Sequence, residues 1–288
     1  MGRLIRELAR DVLGEKKSEL VWKRVDIIGD IAVIKMPIHG MVSVEELRLV
    51  AERLVERLPY VKSVWLQTGA VGGVYRVRGG LVHLAGERRT VTIYREHGCK
   101  FKVDISKVFV TPRLSYEHMR VARLVRPGER ILNMFAGVGI FSIVIARHSK
   151  PSKIFSIDIN PEAYKLMVEN VKLNRVEGVV EPILGDAAKV VEERLKESSD
   201  RVLMPLPALA LDYLPHALKA LREGKGWIHV YLHIKHSKDK SHLKEAVKHV
   251  ESRVEREGWK LMQAKPRAVR SVGPRMMQVV VDAEVAKA

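Results

Sequence analysis

The chain has 288 residues, 47% of them apolar, with only 12 prolines and 20 glycines, which excludes a disordered or low-complexity protein and allows two modest domains. Its one cysteine, Cys99, excludes an internal disulfide or a thiolate-rich zinc site, and no apolar run approaches the roughly 18 residues of a membrane helix. Lys and Arg number 51 against 34 Asp and Glu, a formal charge of +17; such an excess draws polyanions, so nucleic acid is the expected partner, whereas a thermophile's ion-pair surface would need both signs.

Residues 1–20 read as one amphipathic, charged helix without the continuous apolar stretch of a signal peptide, so a cytoplasmic protein is expected. "RVDIIGDIAVIKMP" reads as two short strands turning at Gly29-Asp30. "SVEELRLVAERLVERLP" reads as a helix, with Ser43 as N-cap, Glu46 at the capping-box spacing and Leu47, Val50 and Leu54 on one face. Then "VKSVWLQTG", "GVYRVRGG", "LVHLAG", "RRTVTIYREHG" and "CKFKVDISKVFV" alternate as successive strands. Residues 1–110 are therefore expected to form a smaller α+β domain with antiparallel strands and basic tips.

Over 111–288 the rhythm changes to strand, helix, strand: "RILNMF", "GIFSIVIARHS", "KIFSIDI", "PEAYKLMVENVKLNR", "VEPILGD", "AAKVVEERLKES", "DRVLMPLP", "ALDYLPHALKALRE", "GWIHVYLHI". That alternation predicts an α/β domain, a doubly wound and mainly parallel sheet covered on both faces, with ligands beyond the carboxyl ends of its strands.

Three strand ends carry suitable chemistry. "NMFAGVGIF" sets Phe135, Ala136, Gly137 and Gly139 between a strand and a helix, where glycine lets the backbone approach a ligand. Asp158 ends the next strand 19 residues after Gly139, the spacing of a carboxylate that accepts ribose hydroxyls, and Asn160-Pro161 opens the following helix. Asp186 ends the third strand, where adenine recognition is expected. Each alone is more often a turn or a cap; their joint order points to a nucleotide-type cofactor. The loop lacks the third glycine of a dinucleotide fingerprint, and it resembles the class I, Rossmann-like methyltransferases that bind S-adenosylmethionine.

"FVTPRLSYEHMR", "NMFAGVGIFSI", "DINPEAYKLMVENVKLN", "GDAAK" and "MPLP", in this order, resemble the tRNA (guanine-37-N1)-methyltransferase family and its wyosine-building relatives, over residues 65–282. "LAGERRTVTIYREHGCKFKVD" is similar to the β-rich domain that the family places before its catalytic domain. The resemblance implies a monomer that methylates N1 of guanine 37 in the tRNA anticodon loop. Glu117 would be the general base, with Arg113 orienting it or holding phosphate; a surface Glu near Arg113 and Arg120 is the structural alternative. The cofactor site would comprise Phe109, His118, Phe135, Ala136, Gly137, Gly139, Asp158, Ile159, Asn160, Pro161, Asp186, Ala187 and Pro205. Arg76, Arg78 or Arg88 would hold guanine O6, unless they are solvated strand-tip charges. Lys265, Arg267, Arg270 and Arg275 around "AKPRAVRSVGPRMMQVVVDAEV" would contact phosphate.

Three positions depart from the family pattern: His118 where relatives have Arg, Asn133 where an Asp usually stands, and Pro205-Leu206-Pro207 in place of Asn-Leu-Pro. The alternatives are methylation of a tricyclic wyosine intermediate, transfer of the cofactor's aminocarboxypropyl arm, and an idle RNA-binding module. Aminocarboxypropyl-transferring relatives lack the Leu-Pro and carry Glu where Asp158 stands, so methyl transfer leads. "HIKHSKDKSHLKEAVKHVESR", with four His among Lys, reads as a solvated helix, and no metal is expected.

Overall fold

The computed structural model describes residues 4–37, 41–236, 239 and 241–288, so part of the expected first helix and of the His-rich stretch lies outside the described residues. The chain divides into two compact units, Met1–Pro112 and Arg113–Ala288.

In the first unit the expected helix is split into α1 (Leu4–Leu13) and α2 (Glu15–Ser18) by Gly14, whose φ of 79° no helix can contain. β1 (Asp26–Ile28) and β2 (Ile31–Lys35) form the expected hairpin. α3 (Val44–Arg57) starts at a complete capping box: the Glu46 amide donates to Ser43 Oγ at 3.1 Å and the Ser43 amide to Glu46 Oε2 at 2.9 Å. Its apolar face buries Leu47, Val50, Ala51 and Leu54. Because α3 returns the chain, β3 (Ser63–Gln67) pairs parallel to β2.

"GVYRVRGG" is not one strand. Only Val77–Arg78 of it is strand, β5, which pairs with β4 (Val71–Gly72) just before the stretch, across a turn with Arg76 at φ 51°. β6 (Leu81–Gly86) completes a sheet of order β1-β2-β3-β6, while β7 (Val91–Glu96) and β8 (Cys99–Asp104) pair as a separate hairpin. The last expected strand stops at Asp104 because Asp104 Oδ1 accepts the Ser106 amide at 3.0 Å and hydroxyl at 2.6 Å, a side-chain turn that competes with the ladder.

The second unit enters through a 3-10 turn (Pro112–Leu114) and α4 (Ser115–Leu124). Then follow β9 (Arg130–Asn133), α5 (Ile140–His148), β10 (Lys153–Asp158), α6 (Pro161–Leu173), β11 (Val180–Leu184), and α7 (Ala187–Val190) with a π-helical turn (Val191–Leu195). β12 (Arg201–Met204), α8 (Ala210–Ala220), β13 (Lys225–Lys235), α9 (Ser241–Arg256), β14 (Trp259–Gly273) and β15 (Met276–Lys287) complete it. The sheet order is β11-β10-β9-β12-β13-β15-β14, with β11 through β13 parallel and the β14–β15 hairpin antiparallel.

The chain reverses direction across the sheet at β9, and beyond the carboxyl ends of β9, β10 and β12 lies the crevice where such sheets take ligands. The helix expected in the His-rich stretch is α9, which is solvated on one face and buries His242, Ala246, Val250 and Val254 on the other. No helix among the described residues is long and apolar enough to cross a membrane.

Candidate active site

β9 ends at Asn133 and the chain turns through Phe135-Ala136-Gly137-Val138-Gly139 into α5. Both glycines are left-handed, Gly137 at φ 56° and Gly139 at φ 88°. A Cβ on Gly139 would sit 3.0 Å from Met167 Cγ, whereas one on Gly137 meets nothing within 4 Å. Gly139 is thus favoured by its left-handed φ and by the tight approach of Met167 of α6, while Gly137 fronts open space. Asn170 of α6 pins the loop, its side-chain amide donating to the Val138 carbonyl at 3.1 Å.

Asp158 clamps the same loop from the next strand. Its Oδ2 accepts the Gly137 amide at 2.6 Å and its Oδ1 the Asn160 amide at 2.9 Å. A carboxylate has about four lone-pair positions, so two remain for a ligand. Burial pushes the Asp158 carboxyl up, against the two amides that hold it down. Beside it Ile159 is 42% exposed, an apolar surface at the mouth of the crevice.

The neighbouring polar groups are more fully engaged. Asn160 caps α6 by accepting the Glu162 amide at 3.0 Å, with Pro161 in the first turn. Asp186 caps α7 through the Ala188 and Lys189 amides at 2.9 and 3.1 Å, with buried Ala187 as the first helical residue, and its Oδ2 accepts the Tyr213 hydroxyl at 2.5 Å. Burial opposes ionisation of Asp186, but these donors hold its carboxyl below the usual range; burial and Asp186 push Tyr213 up to about 12. Tyr213 packs edge-on against Phe135 at 5.2 Å, so this α8 residue, missed in the sequence, ties the glycine loop to the third strand end. Pro205 follows β12, half-buried. Asn133 donates to Ser142 Oγ at 3.1 Å, and its buried Oδ1 has no partner among the described residues.

Glu117 is not a surface residue: it is 2% exposed. Its ionic partner is Arg120, one helical turn on, which donates to Oε2 at 2.9 Å and to Oε1 at 2.7 Å. The Tyr231 hydroxyl of β13 donates to Oε1 at 2.7 Å. Arg120 also donates to both Asp282 oxygens at 2.6 and 3.1 Å, and His229 Nδ1 lies 2.6 Å from Asp282 Oδ1. On the other side of the ring His229 Nε2 is 2.8 Å from Arg201 Nη1, a group that can only donate, so Nε2 accepts and the proton sits on Nδ1. Burial, then the two arginines, hold His229 neutral against the pull of Asp282.

Arg201 closes the chain on Glu129 at 2.7 and 2.9 Å. His118 is buried edge-on against Phe141, 4.4 Å between ring centres. Arg113 is half-buried in the turn before α4.

The basic candidates fall into different environments. Arg78 is no solvated tip: 4% exposed, it donates to the Val110 carbonyl at 2.6 Å and lies 4.9 Å over the Phe109 ring. Burial lowers its pKa to about 10, and its buried Nε has no hydrogen-bond partner among the described residues. Arg76 is half-buried and Arg88 exposed. On the edge strand β14, Lys265 and Arg267 are exposed, Arg267 stacking 4.9 Å over Tyr116 next to Glu117. Arg270 donates to Gln278 Oε1 at 2.7 Å, and Arg275 stands exposed in the hairpin turn. Among the described residues no group of three or more His, Cys, Asp or Glu side chains is placed to hold a metal ion.

A parallel sheet that reverses at β9, a glycine turn clamped by the next strand's carboxylate and an antiparallel strand inserted before the edge define a class I S-adenosylmethionine-dependent methyltransferase. Residues 92–262 match the TRM5/TYW2 methyltransferase domain. The chain belongs to that family. It is 42% identical over 262 residues to the tRNA 4-demethylwyosine(37)-methyltransferase Taw21 of Saccharolobus solfataricus, covering 91% of this chain and 94% of that protein. It is 43% identical over 210 residues to the tRNA (guanine(37)-N(1))-methyltransferase Trm5b of Pyrococcus abyssi, covering 72% of this chain and 58% of that protein. The crystal structure of this Trm5b superposes with a TM-score of 0.81 at 34% identity, over 96% of this chain and 80% of that one. TYW2 of M. jannaschii, solved in complex with AdoMet, superposes at 0.69 and 25% identity, over 92% of this chain and 100% of that one.

Proposed function

We propose that the chain transfers the methyl group of S-adenosylmethionine to the base at position 37 of tRNA, and that Glu117 takes the proton the base gives up. The observation that carries this reading is Glu117 itself. It is a buried carboxylate whose Oε2 accepts one hydrogen bond among the described residues, so a lone pair remains for an incoming proton.

The cofactor supplies an electrophilic methyl on a sulfonium sulfur and departs as the thioether. The residues fit it: Asp158 has two lone pairs left for ribose hydroxyls, Gly137 leaves open space where a side chain would intrude, and Ile159 offers an apolar surface. Phe135, Ala136 and Gly139 shape the loop around that space. Asn160, Pro161, Asp186 and Ala187 fix the neighbouring helix starts, and Phe109, His118 and Pro205 are assigned to the cofactor on the family pattern alone.

On the base, the atom that gains the methyl loses its hydrogen as a proton, whether N1–H of guanine or a ring C–H. Arg113 is assigned to orient Glu117 or hold phosphate. Arg76, Arg78 and Arg88 are the candidates for the base's oxygen. Lys265, Arg267 and Arg275, exposed on one hairpin, would hold phosphate; Arg270 already serves Gln278.

The tricyclic base 4-demethylwyosine is the acceptor we put first. The chain spans 94% of the Saccharolobus enzyme named for that base but 58% of the Pyrococcus guanine enzyme, and Pro205 stands where guanine-specific relatives carry Asn. N1 of guanine is the second reading, favoured by "PRLSYE" and by 43% identity to the guanine enzyme. The test incubates the protein and cofactor separately with tRNA bearing guanine or 4-demethylwyosine at position 37, and reads the nucleosides by mass spectrometry. A methyl gained by the tricyclic base alone supports the first reading, and a methyl on guanine N1 alone reverses it. No methyl on either sinks the proposal.

A further inference from the structure

We propose that Asp282, on the last strand, is a positioning residue for Glu117 that acts through Arg120, and that Tyr231 acts on the same carboxylate in the opposite sense. The inference rests on the reading of Glu117 as proton acceptor.

Arg120 is shared. Its guanidinium meets Glu117 at 2.7 and 2.9 Å and Asp282 at 2.6 and 3.1 Å, with 13% of its side chain exposed, so solvent screens little of either contact. One positive charge is divided between two carboxylates. If Arg120 served Glu117 alone, its whole charge would favour the anion and oppose the proton transfer that the reaction needs. Asp282 is held in place by neutral His229, its register partner across β13 and β15, and His229 by Arg201 and Glu129. Against burial, His229 and Arg120 keep the Asp282 carboxyl well below the usual range, so it stays charged throughout the working pH.

Tyr231 does the reverse. Its hydroxyl donates to Glu117 Oε1 at 2.7 Å, and burial together with Glu117 pushes the phenol well above its ordinary value, so it remains a donor. A donor to the anion makes the anion harder to protonate.

The elements around Glu117 carry other titratable groups. Its own helix and the preceding turn carry Arg113, His118 and Arg123; β13 brings His229 and β15 Asp282; α5 presents Phe141, with Arg147 and His148 in its last turn; β14 offers exposed Lys265 and Arg267. Arg120 bonds both Glu117 and Asp282.

The experiment is the pH dependence of single-turnover methyl transfer, with whichever of the two tRNAs accepts a methyl, for wild type, Asp282→Asn and Tyr231→Phe. In Asp282→Asn the undivided charge of Arg120 holds Glu117 anionic, so the acid limb should move down by about half a pH unit or more and the plateau rate should fall. In Tyr231→Phe a donor is lost with little change of shape, so the acid limb should move up by about the same amount. Opposite displacements support the proposal. Two limbs that stay in place, or move together, overturn it and leave both residues structural. Should Asp282→Asn fail to fold, an unmoved limb in Tyr231→Phe overturns it as well. Glu117→Gln is run alongside: a wild-type rate there removes the reading of Glu117 as base, and this proposal with it.

Discussion

Replacing Asp158 tests the cofactor assignment most directly, and the structure sets the size of the effect. Asp158→Ala deletes the acceptor of the Gly137 amide at 2.6 Å and of the Asn160 amide at 2.9 Å, and with them the two lone pairs left for the ligand. Bonds to a charged group are worth about 1.5–3 kcal/mol each, so two lost ligand bonds would amount to about 3–6 kcal/mol gross. Taking the ribose hydroxyls out of water offsets part of that gain. We expect a net loss of about 1.5–3 kcal/mol, a Kd raised about 10- to 150-fold. Calorimetric titration with S-adenosylmethionine measures it.

The pH dependence has a definite sign. Ribose hydroxyls donate to the ionised carboxylate, so wild-type affinity falls as pH drops through the Asp158 pKa, which lies above the ordinary 3.8. Asp158→Ala lacks this dependence, and the two affinities should converge in acid. For the protein alone the same upward shift adds stability in acid, and that contribution is lost as pH rises through the folded-state pKa. Equal affinity of wild type and Asp158→Ala at neutral pH would refute the assignment and make the glycine loop a structural turn.

Other perturbations have equally definite outcomes. Glu117→Gln should lower the single-turnover rate by at least about 10², with cofactor and tRNA affinities nearly intact, as for removal of a positioned base; stopped reactions under single-turnover conditions decide it. Arg78→Ala should cost about 2–4 kcal/mol in denaturant unfolding, from a lost charge-assisted bond to Val110 and the stack on Phe109. A cost near zero would show that the unpartnered Nε already cancels those gains. Binding of tRNA should fall about 50- to 150-fold between 50 and 200 mM salt if four phosphates are contacted, and Arg267→Ala should reduce the logarithmic salt slope by about one. A flat response in filter binding would assign the charge of +17 to a role other than RNA.

Local rules predicted local structure well. Ser43 and Glu46 form their capping box, Gly29-Asp30 turns a hairpin, and alternating strand and helix patterns from Arg130 onward yield the sheet that reverses at β9. The misses have equally local causes. Gly14 breaks a pattern that reads as one helix, Asp104 stops a strand by binding its own backbone, and "VYR" supplies a turn although its residues favour strand. In α9 the lysines and histidines hide a buried stripe of three apolar residues, Ala246, Val250 and Val254, continued by His242.

The site was legible only as far as its motifs are contiguous. Asp158, Asn160 and Asp186 stand alike at the ends of strands, yet they differ in what each has left to give. Asp186 accepts three internal hydrogen bonds and Asn160 spends its oxygen on a cap, while Asp158 accepts two and keeps two lone pairs beside open space. No spacing rule counts acceptors. The partners of Glu117 lie further still, Tyr231 114 residues away and Arg120's second partner, Asp282, 162 residues from it. They meet because β15 inserts between β13 and β14, setting His229 opposite Asp282 below α4. The only sequence signal is a polar residue inside an otherwise apolar strand, His229 and Tyr231 in "WIHVYLHI" and Asp282 in "VVVDAEV". A buried polar group costs free energy unless paired, so each such interruption implies a partner elsewhere in the fold. Here Tyr231 meets the carboxylate proposed to take the proton directly, Asp282 reaches it through Arg120, and His229 holds Asp282.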